Sequence, residues 1–325
     1  MHLQPEIHPA MRRQLGSSSE RFKALGCAAF VADGLCEFFL GCPPVHSGGL
    51  YHYTCLAAAK KIIDGRCLLL SSSRRLNDTR EPQDDGLYVA SFSFGAIENV
   101  AMWGIYSRPL SEAVRLRFRY AEMREMARRC RGSICPVAVR QQDKKMEYRV
   151  LENGAFAVDL KEDAHLSDIL YVDHVEEKSR RNDGRVAIRW NSNSIRISLR
   201  ELDSVRSSPL KKFIKYSGWA YERETRLCVN VTIDDEKAKR ALDALGNGWK
   251  LTKDKIALRL PPKDSFGMDV RCGPCLPSDK IEHAFAGGAA NNGRIEASIL
   301  KDCVRGGVFC DNCPRAKRCR TLNPD

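Results

Sequence analysis

Apolar and polar residues alternate along several short segments of the chain, and this spacing predicts β-strands. Residues 113–120 are the clearest case, because neighbouring side chains point to opposite faces of a strand. One face carries Val114, Leu116 and Phe118, and the other carries Arg115, Arg117 and Arg119. We expect a half-buried strand with a basic outer face here. Further strands are predicted at residues 50–54, 67–71, 87–94, 134–139, 146–151, 227–231, 256–260 and 268–272.

Apolar residues spaced by three and four positions predict helices between these strands. The helices are expected at residues 19–40, 56–63, 97–106, 121–129, 208–216 and 234–245. Gly65 would end the second of these helices in a left-handed conformation. Residues 166–173 are ambiguous, and the segments 186–190 and 195–199 either pair with each other or flank a loop. Strands separated by helices of varied length indicate an α+β or mixed α/β domain.

Changes in composition divide the chain into three parts. Residues 1–48 combine a polar leader, the first predicted helix and a Pro/Gly-rich linker, residues 49–286 hold the predicted strands, and residues 287–325 form a linker and a Cys-rich tail. With 325 residues and 43% hydrophobic content, the chain can build a sizeable core. Its apolar runs fall short of the ~20 residues of a spanning helix. Since it shows no export signal either, we expect a cytoplasmic protein without membrane contact.

The net charge narrows the choice of partners. The chain carries a formal charge of +12 and has a pI of about 9.1. A basic protein attracts acidic partners, and nucleic acid is the commonest of them. The basic residues are spread along the whole chain, so a solvated surface with a positive bias explains the charge equally well.

A histidine lies where the first predicted strand meets a helix. His52 stands in Tyr51-His52-Tyr53-Thr54, and the apolar-periodic run of the next helix follows it. Imidazole can bind a ligand or exchange a proton near neutral pH. Taken alone, a histidine on a strand is more often a hydrogen-bonded structural residue than a ligand-binding one.

Two carboxylates lie one residue apart just before the predicted strand at 227–231. If that strand extends back to them, Glu222 and Glu224 point to the same face and enter one cleft. When two carboxylates lie close together, their repulsion raises the pKa of one of them. One then stays anionic while the other can donate a proton. The alternative is that Arg223 and Arg226 form surface ion pairs with them, worth only ~0–1 kcal/mol.

Five features occur along the chain in the order found in a bacterial family of unknown function, which residues 50 to 275 resemble. They are His52-Tyr53-Thr54, Asn77-Asp78, Phe92-Ser93, the segment Met102-Trp103-Gly104-Ile105-Tyr106, and the segment from Trp219 to Arg226. The start of this region and its glutamate pair also resemble ADP-ribosyltransferase-like domains. That resemblance implies an α+β fold with a mixed, mostly antiparallel split sheet and flanking helices.

The resemblance also implies NAD as substrate and assigns residues to its nicotinamide half. His52 would hold a ribose of NAD, with Tyr53 and Thr54 beside it. Glu224 would bind the 2′-hydroxyl of the nicotinamide ribose and stabilise an oxocarbenium-like transition state. Glu222 would orient the acceptor.

Two further elements are assigned to NAD binding in the same way. Ser91 and Ser93 are similar to a Ser-x-Ser strand that lines the NAD cleft in one transferase branch. Tyr106 would stack on nicotinamide. Tyr106 and Trp103 share one face of the predicted helix, which suits a core role as well.

The cysteines suggest metal chemistry at the end of the chain. Of fourteen cysteines, four cluster with basic residues in the tail: Cys303, Cys310, Cys313 and Cys319. Four thiolates suit either tetrahedral zinc or an iron–sulfur cluster, and four thiols without metal are the alternative. The pair Cys272 and Cys275 closes a predicted strand and is interpreted as structural, with metal binding as the alternative.

Two functional hypotheses follow. The first is an ADP-ribosyltransferase-like enzyme that cleaves NAD and transfers ADP-ribose to a nucleic-acid or protein acceptor, in bacterial defence or as a toxin. The second is a non-catalytic nucleic-acid-binding protein, in which the cysteine tail and the arginine face of residues 113–120 contact phosphate.

Overall fold

Short antiparallel strands dominate the chain, as the alternating pattern predicts. The computed structural model describes residues 49–309, except for the stretches 79–80, 82, 96–97, 143–144, 153–156, 173–184, 191–192, 263–264, 277–279, 281–283, 286–294, 299–303 and 306–307. The leader and predicted helix within residues 1–48, and the linker at 287–294, lie outside the described residues. None of the helices in the described ranges is long and apolar enough to cross a membrane.

The strands and helices alternate irregularly along the chain. The strands are β1 Gly49–Cys55, β2 Cys67–Ser72, β3 Leu87–Phe94, β4 Ala113–Arg119, β5 Ile134–Gln142, β6 Lys145–Val150, β7 Val158–Leu160, β8 His165–Asp168, β9 Leu170–Val172, β10 Arg185–Trp190, β11 Asn193–Ser198, β12 Ile214–Tyr216, β13 Glu224–Ile233, β14 Lys250–Arg259, β15 Met268–Cys272, β16 Ile295–Glu296, β17 Val304–Arg305 and β18 Val308–Phe309. The helices are α1 Leu56–Gly65, α2 Val100–Tyr106, α3 Tyr120–Arg128, α4 Leu199–Ser207 and α5 Asp235–Asp243.

The described residues form one large sheet, one small four-stranded sheet and a two-stranded sheet of β17 and β18. The large sheet runs β16-β15-β4-β1-β3-β2-β14-β5-β6, and β13 pairs with β3, β7 and β8 off this path. The small sheet runs β11-β10-β9-β12. Pairing is antiparallel except between β12 and β9 and between β15 and β16. The prediction of an α+β fold with a mixed, mostly antiparallel sheet is confirmed.

Strands β1 and β2 both pair with the same edge of β3, but with different parts of it, and this leaves a gap in the large sheet. One edge of β3 pairs with β13 from Leu87 to Ser93. On its other edge, β2 pairs only up to Val89 and β1 pairs only from Ser93 onward. Strands β1 and β2 therefore diverge like a fork on either side of residues 90–92, and the fork leaves room between them.

Apolar side chains fill both faces of this arrangement. The main core lies between the large sheet, α1 and α3, and its fully buried members include Leu50, Ile63, Leu116, Phe118 and Met123. A second core joins the large sheet to the small sheet and α4. A third packs Trp103 of α2 against Tyr51 and Tyr53 of β1. The small sheet and α2 are thus held against the region of the fork.

The predicted helix at 208–216 is wrong for residues 214–216. A 3-10 segment covers Pro209–Phe213, and the chain then extends into β12, which pairs in parallel with β9. Proline at the start satisfies a first helical turn, but the parallel partner strand decides the conformation of the following residues. Helix α4 precedes this segment and was not predicted, although the capping box of Ser198 and Glu201 signals its start.

The residue that ends α1 in the left-handed conformation is Arg66 rather than Gly65. Arg66 has φ 48°, a conformation that costs a side chain roughly 1–2 kcal/mol. Its guanidinium donates hydrogen bonds of 2.9 Å to the carbonyl oxygens of Pro261 and Phe266. These two bonds offset the backbone cost.

The basic outer face predicted for β4 is only partly present. Arg115 is buried, with its guanidinium 4.1 Å from the ring centroid of Tyr51 and hydrogen-bonded to the hydroxyl of Tyr53. Arg117 pairs with Asp269, and Arg119 pairs with Glu122. The sequence pattern could not show that Tyr51 and Tyr53, against which α2 packs, lie over Arg115, so the prediction of three solvent-facing arginines is wrong at residue 115.

Two glycines with the same backbone conformation allow a test of how closely the start of β3 packs against β13. Gly86 (φ 81°) and Gly132 (φ 82°) both lie in the left-handed region, but only at Gly86 would an added Cβ meet another atom, the Val231 carbonyl oxygen at 2.4 Å. Gly132→Ala is expected to lower the free energy of unfolding by about 1 kcal/mol. Gly86→Ala should cost about 1–2 kcal/mol more, because the backbone of β13 must move. Urea unfolding of both variants measures the difference, and equal losses would show that β13 yields freely.

Candidate functional site

A partly open cavity of about 250 Å³ lies in the fork between β1 and β2. Its floor is the stretch 90–92 of β3, which pairs with β13 but has no partner strand on the edge that faces β1 and β2. Helix α2 and the two glutamates close the cavity. Its lining residues are Tyr51, His52, Tyr53, Leu69, Ser71, Arg75, Leu76, Asn77, Val89, Ala90, Ser91, Phe92, Met102, Tyr106, Lys215, Glu222, Glu224 and Arg226. The histidine and the carboxylates singled out in the sequence therefore share one cavity.

His52 spans the fork from the β1 side. Its Nδ1 lies 3.2 Å from the carbonyl oxygen of Ser91, where a continuous sheet would have a backbone hydrogen bond. A carbonyl only accepts, so Nδ1 carries the proton and Nε2 is the acceptor of the neutral ring. Burial lowers the pKa of His52, and the bond to Ser91 opposes this shift. The imidazole is therefore neutral at pH 7.

The two carboxylates converge through a tight turn, not through strand alternation. Glu222 ends a 3-10 segment at Ser217–Glu222, Arg223 adopts φ 46°, and β13 begins only at Glu224. The Arg223 carbonyl accepts a hydrogen bond of 2.9 Å from the Phe94 amide. The expected strand geometry at Glu222 is thus wrong, yet both side chains line the same cavity because Arg223 reverses the chain.

A buried ion cluster surrounds the carboxylates. Arg226 donates to both oxygens of Glu224, at 2.8 Å from Nε and 3.1 Å from Nη2, and also pairs with Glu81. Lys215 of β12 lies 2.6 Å from Glu222, 3.2 Å from Glu224 and 3.5 Å from Glu81. All five side chains are at most 3% exposed. Three carboxylates against two cations leave this cluster with one net negative charge when all are ionised.

The surroundings of the two glutamates shift their pKa values in opposite directions. Burial alone would raise the pKa of Glu224, but the charges of Arg226 and Lys215 overcome it and lower that pKa to about 2. Burial raises the pKa of Glu222, with Lys215 opposing the rise and Glu224 adding to it. At neutral pH Glu224 is therefore ionised, whereas Glu222 is the carboxylate that gains a proton more readily. The alternative of weak surface pairs with arginine is wrong, since Arg226 pairs with Glu224 in the interior.

The other predicted binding residues divide between the cavity and its supports. Ser91 and Tyr53 line the cavity; Ser91 donates to Glu224, and the Tyr53 hydroxyl accepts from the Asn99 amide at 3.1 Å. Ser93 lies behind the cavity and donates to the Glu222 carbonyl at 2.6 Å, which fixes the turn. Thr54 is buried in β1 and does not line the cavity.

Helix α2 contributes one residue to the cavity and one to the core. Tyr106 lines the cavity and donates to Glu222, while its hydroxyl accepts from Asn77 at 2.8 Å. Trp103 is fully buried and donates to Glu98 at 3.1 Å. The shared helix face thus places Trp103 in the core and Tyr106 at the cavity, and the stacking of Tyr106 on nicotinamide stays a prediction.

Lys215, Glu81 and Tyr171 were missed in the sequence. Lys215 lay in the segment predicted as a helix, and Glu81 lies in a polar loop without any periodic signal. The Tyr171 hydroxyl accepts a 2.8 Å hydrogen bond from the Glu224 amide. A strand assignment for residues 214–216 would not have marked Lys215 either, because its neighbours Ile214 and Tyr216 point to the opposite face of the strand.

The predicted metal centre falls outside the described part of the chain. Cys303, Cys310, Cys313 and Cys319 all lie there, so zinc or iron–sulfur binding by the tail stays a prediction. Within the described residues no group of three or more His, Cys, Asp or Glu side chains could hold a metal ion. Cys272 is buried at the end of β15, and Cys275 is half-buried just beyond it.

No protein-family model, curated protein or solved structure matches this chain. The chemistry that the site can perform must be read from its own residues: a neutral imidazole on one wall, and a net-anionic cluster with one protonatable carboxylate on the other.

Proposed function

We propose that this chain is an ADP-ribosyltransferase-like enzyme that cleaves NAD at the nicotinamide–ribose bond and transfers ADP-ribose to an acceptor. The observation that carries the proposal is the common cavity of His52, Glu222 and Glu224 at the fork of a split sheet. The resemblance of the sequence to ADP-ribosyltransferase-like domains assigns His52 to a ribose of NAD, Glu224 to the nicotinamide ribose and Glu222 to the acceptor.

His52 suits the binding of a ribose. Its neutral ring has Nδ1 committed to the Ser91 carbonyl, so Nε2 can accept a hydrogen bond from a sugar hydroxyl. A charged imidazolium would instead repel the positive charge that develops on the sugar. The lowered pKa of His52 thus agrees with this role.

The anionic cluster suits the stabilisation of an oxocarbenium-like transition state. Loss of nicotinamide leaves one positive charge on the ribose, and the cluster offers one net negative charge in a buried setting. Glu224 remains ionised because Arg226 and Lys215 hold its pKa to about 2. Fixed charges of this kind stabilise a transition state without reorganising during the reaction.

The size of the cavity fits the reacting half of the substrate. At about 250 Å³ it is slightly below the range of about 300–1,000 Å³ that is usual for ligand pockets. It would enclose the nicotinamide and its ribose, while the adenosine half lies at the mouth near Arg75 and Asn77, which are exposed. The acceptor is proposed to be a nucleic acid or an acidic protein, because the chain has a net charge of +12.

Nicotinamide release from labelled NAD tests the proposal without knowledge of the acceptor. The full chain is incubated with NAD alone, with RNA, with DNA and with cell protein. Glu224→Gln should lower the rate of release by about 10²–10³-fold. Glu125→Gln is the matched control, since its carboxylate pairs with Arg129 on the exposed side of α3, and it should keep the wild-type rate. Equal rates for wild type and Glu224→Gln, or no release by wild type under any condition, would contradict the proposal.

A further inference from the structure

A hydrogen-bonded chain leads from the mouth of the cavity to the buried carboxylate of Glu222. Asn77 is exposed, Tyr106 is half-buried and Glu222 is buried. The Asn77 amide nitrogen donates to the Tyr106 hydroxyl at 2.8 Å, and that hydroxyl donates to Glu222 Oε1. The direction is fixed, because an amide nitrogen only donates and a phenol has a single proton.

The two carboxylates of the cavity differ in how many of their acceptor positions are occupied. A carboxylate has about four lone-pair sites. Glu224 receives Ser91, two nitrogens of Arg226 and Lys215, so its sites are filled. Glu222 receives one bond at each oxygen, from Tyr106 and from Lys215. Glu222 therefore keeps more free acceptor capacity for a ligand than Glu224, which could bond a ribose hydroxyl only in exchange for one of these donors.

We propose that Tyr106 and Asn77 are positioning residues that orient Glu222 and hold it ionised, so that it can take a proton from the bound acceptor. The reactive part of this inference depends on the proposed function. In that step the acceptor oxygen or nitrogen forms a bond to C1′ of the ribose, and the C1′–N bond breaks. Nicotinamide leaves with the electron pair, and the acceptor proton passes to Glu222.

The proton affinity of Glu222 is set by every charged and titratable group around it. Lys215 of β12, Glu224 of β13, Tyr106 of α2 and Tyr171 of β9 face it, Tyr221 precedes it in the chain, and Glu81 and Arg226 belong to the same ion cluster. Among these groups, only Lys215 and Tyr106 donate hydrogen bonds to its carboxylate. Both bonds favour the ionised form and lower the pKa of Glu222 against the effect of burial.

The test is an infrared titration of the full chain without ligand, which follows the carbonyl band of the protonated Glu222 carboxyl and identifies it by its loss in Glu222→Gln. Tyr106→Phe removes one hydroxyl and should raise the midpoint by roughly one pH unit. Asn77→Ala should raise it less, because it only weakens the polarisation of that hydroxyl. Tyr148→Phe is the control, since Tyr148 lies on β6 with Lys255 over its ring and does not line the cavity, and it should leave the midpoint unchanged.

The pH profile of nicotinamide release then reports the same group during turnover, and its acid limb should move upward in Tyr106→Phe by the same amount. An unchanged midpoint in Tyr106→Phe would overturn the positioning role whatever the activity. If the midpoint moves as expected but wild type releases no nicotinamide, the positioning of Glu222 stands and the proposed function fails. A residue with a merely structural role would lower stability without moving the midpoint.

Discussion

Replacement of Arg226 by methionine is expected to lower the free energy of unfolding at pH 7 by about 3–5 kcal/mol. Arg226 is 1% exposed, binds both oxygens of Glu224, pairs with Glu81 and donates to the Lys212 carbonyl at 3.1 Å. Methionine fills much of the volume but leaves the three buried carboxylates of the cluster with a single cation, Lys215. Removing one partner of a buried ion pair is costly because the remaining charge has lost its solvation.

The control for this variant is Arg117→Met. Arg117 also bonds a carboxylate, that of Asp269 at 2.8 Å, but its side chain is 44% exposed. Its loss should change stability by no more than about 1 kcal/mol. Urea unfolding of the two variants compares a buried with an exposed pair of the same type. A loss below 1 kcal/mol for Arg226→Met would show that the cluster is hydrated.

Replacement of Lys215 by methionine should produce a loss of about 3–5 kcal/mol at neutral pH that shrinks when the pH is lowered. Lys215 is the cation shared by Glu81, Glu222 and Glu224, and without it the two cavity carboxylates repel each other. Glu222 already has a raised pKa, and loss of Lys215 raises it further. A raised carboxyl pKa means that the folded state binds more protons, so stability falls as the pH rises from about 4.5 through the folded pKa.

The stability of the wild type should instead fall as the pH is lowered. The pKa of Glu224 is lowered to about 2 from its ordinary value of 4.5. Its contribution to stability is present above pH 4.5 and is lost as the pH falls towards 2.

Urea unfolding at pH 5 and pH 8 tests the prediction for Lys215. The difference in stability between Lys215→Met and wild type should be larger at pH 8. Lys253→Met, which removes an exposed partner of Asp235, should give the same small difference at both values; a pH-independent gap for Lys215→Met would contradict the shared-cation role.

Local patterns predicted the strands well because each pattern depends only on adjacent residues. The range 87–94 of β3 was predicted as the structure has it, and β1, β2, β5, β6 and β15 agree to within a few residues. The predictions failed where a distant segment decides the conformation. Residues 214–216 become a strand because β9 offers a parallel edge, and Arg115 is buried because Tyr51 and Tyr53 lie over it.

In the candidate site, too, local patterns indicated the residues but not their arrangement in space. His52, Glu222 and Glu224 could be singled out from residue type and spacing, and the Asn77 and Tyr106 motifs were visible as well. Their convergence could not be read from spacing, since it depends on the fork of β1 and β2 and on the left-handed turn at Arg223. The partners Lys215 and Glu81 reach the cluster from β12 and from a loop, and neither carries a local signal of that role.

The sequence by itself located most strands of the large sheet and singled out one histidine and two glutamates as candidate site residues. Tertiary structure alone decided that these groups meet in one cavity and that one carboxylate is locked by Arg226 while the other keeps room for a proton. The physical reason is that periodicity reports which face of a strand is buried. Burial, charge pairing and pKa depend on which distant strands lie against that face.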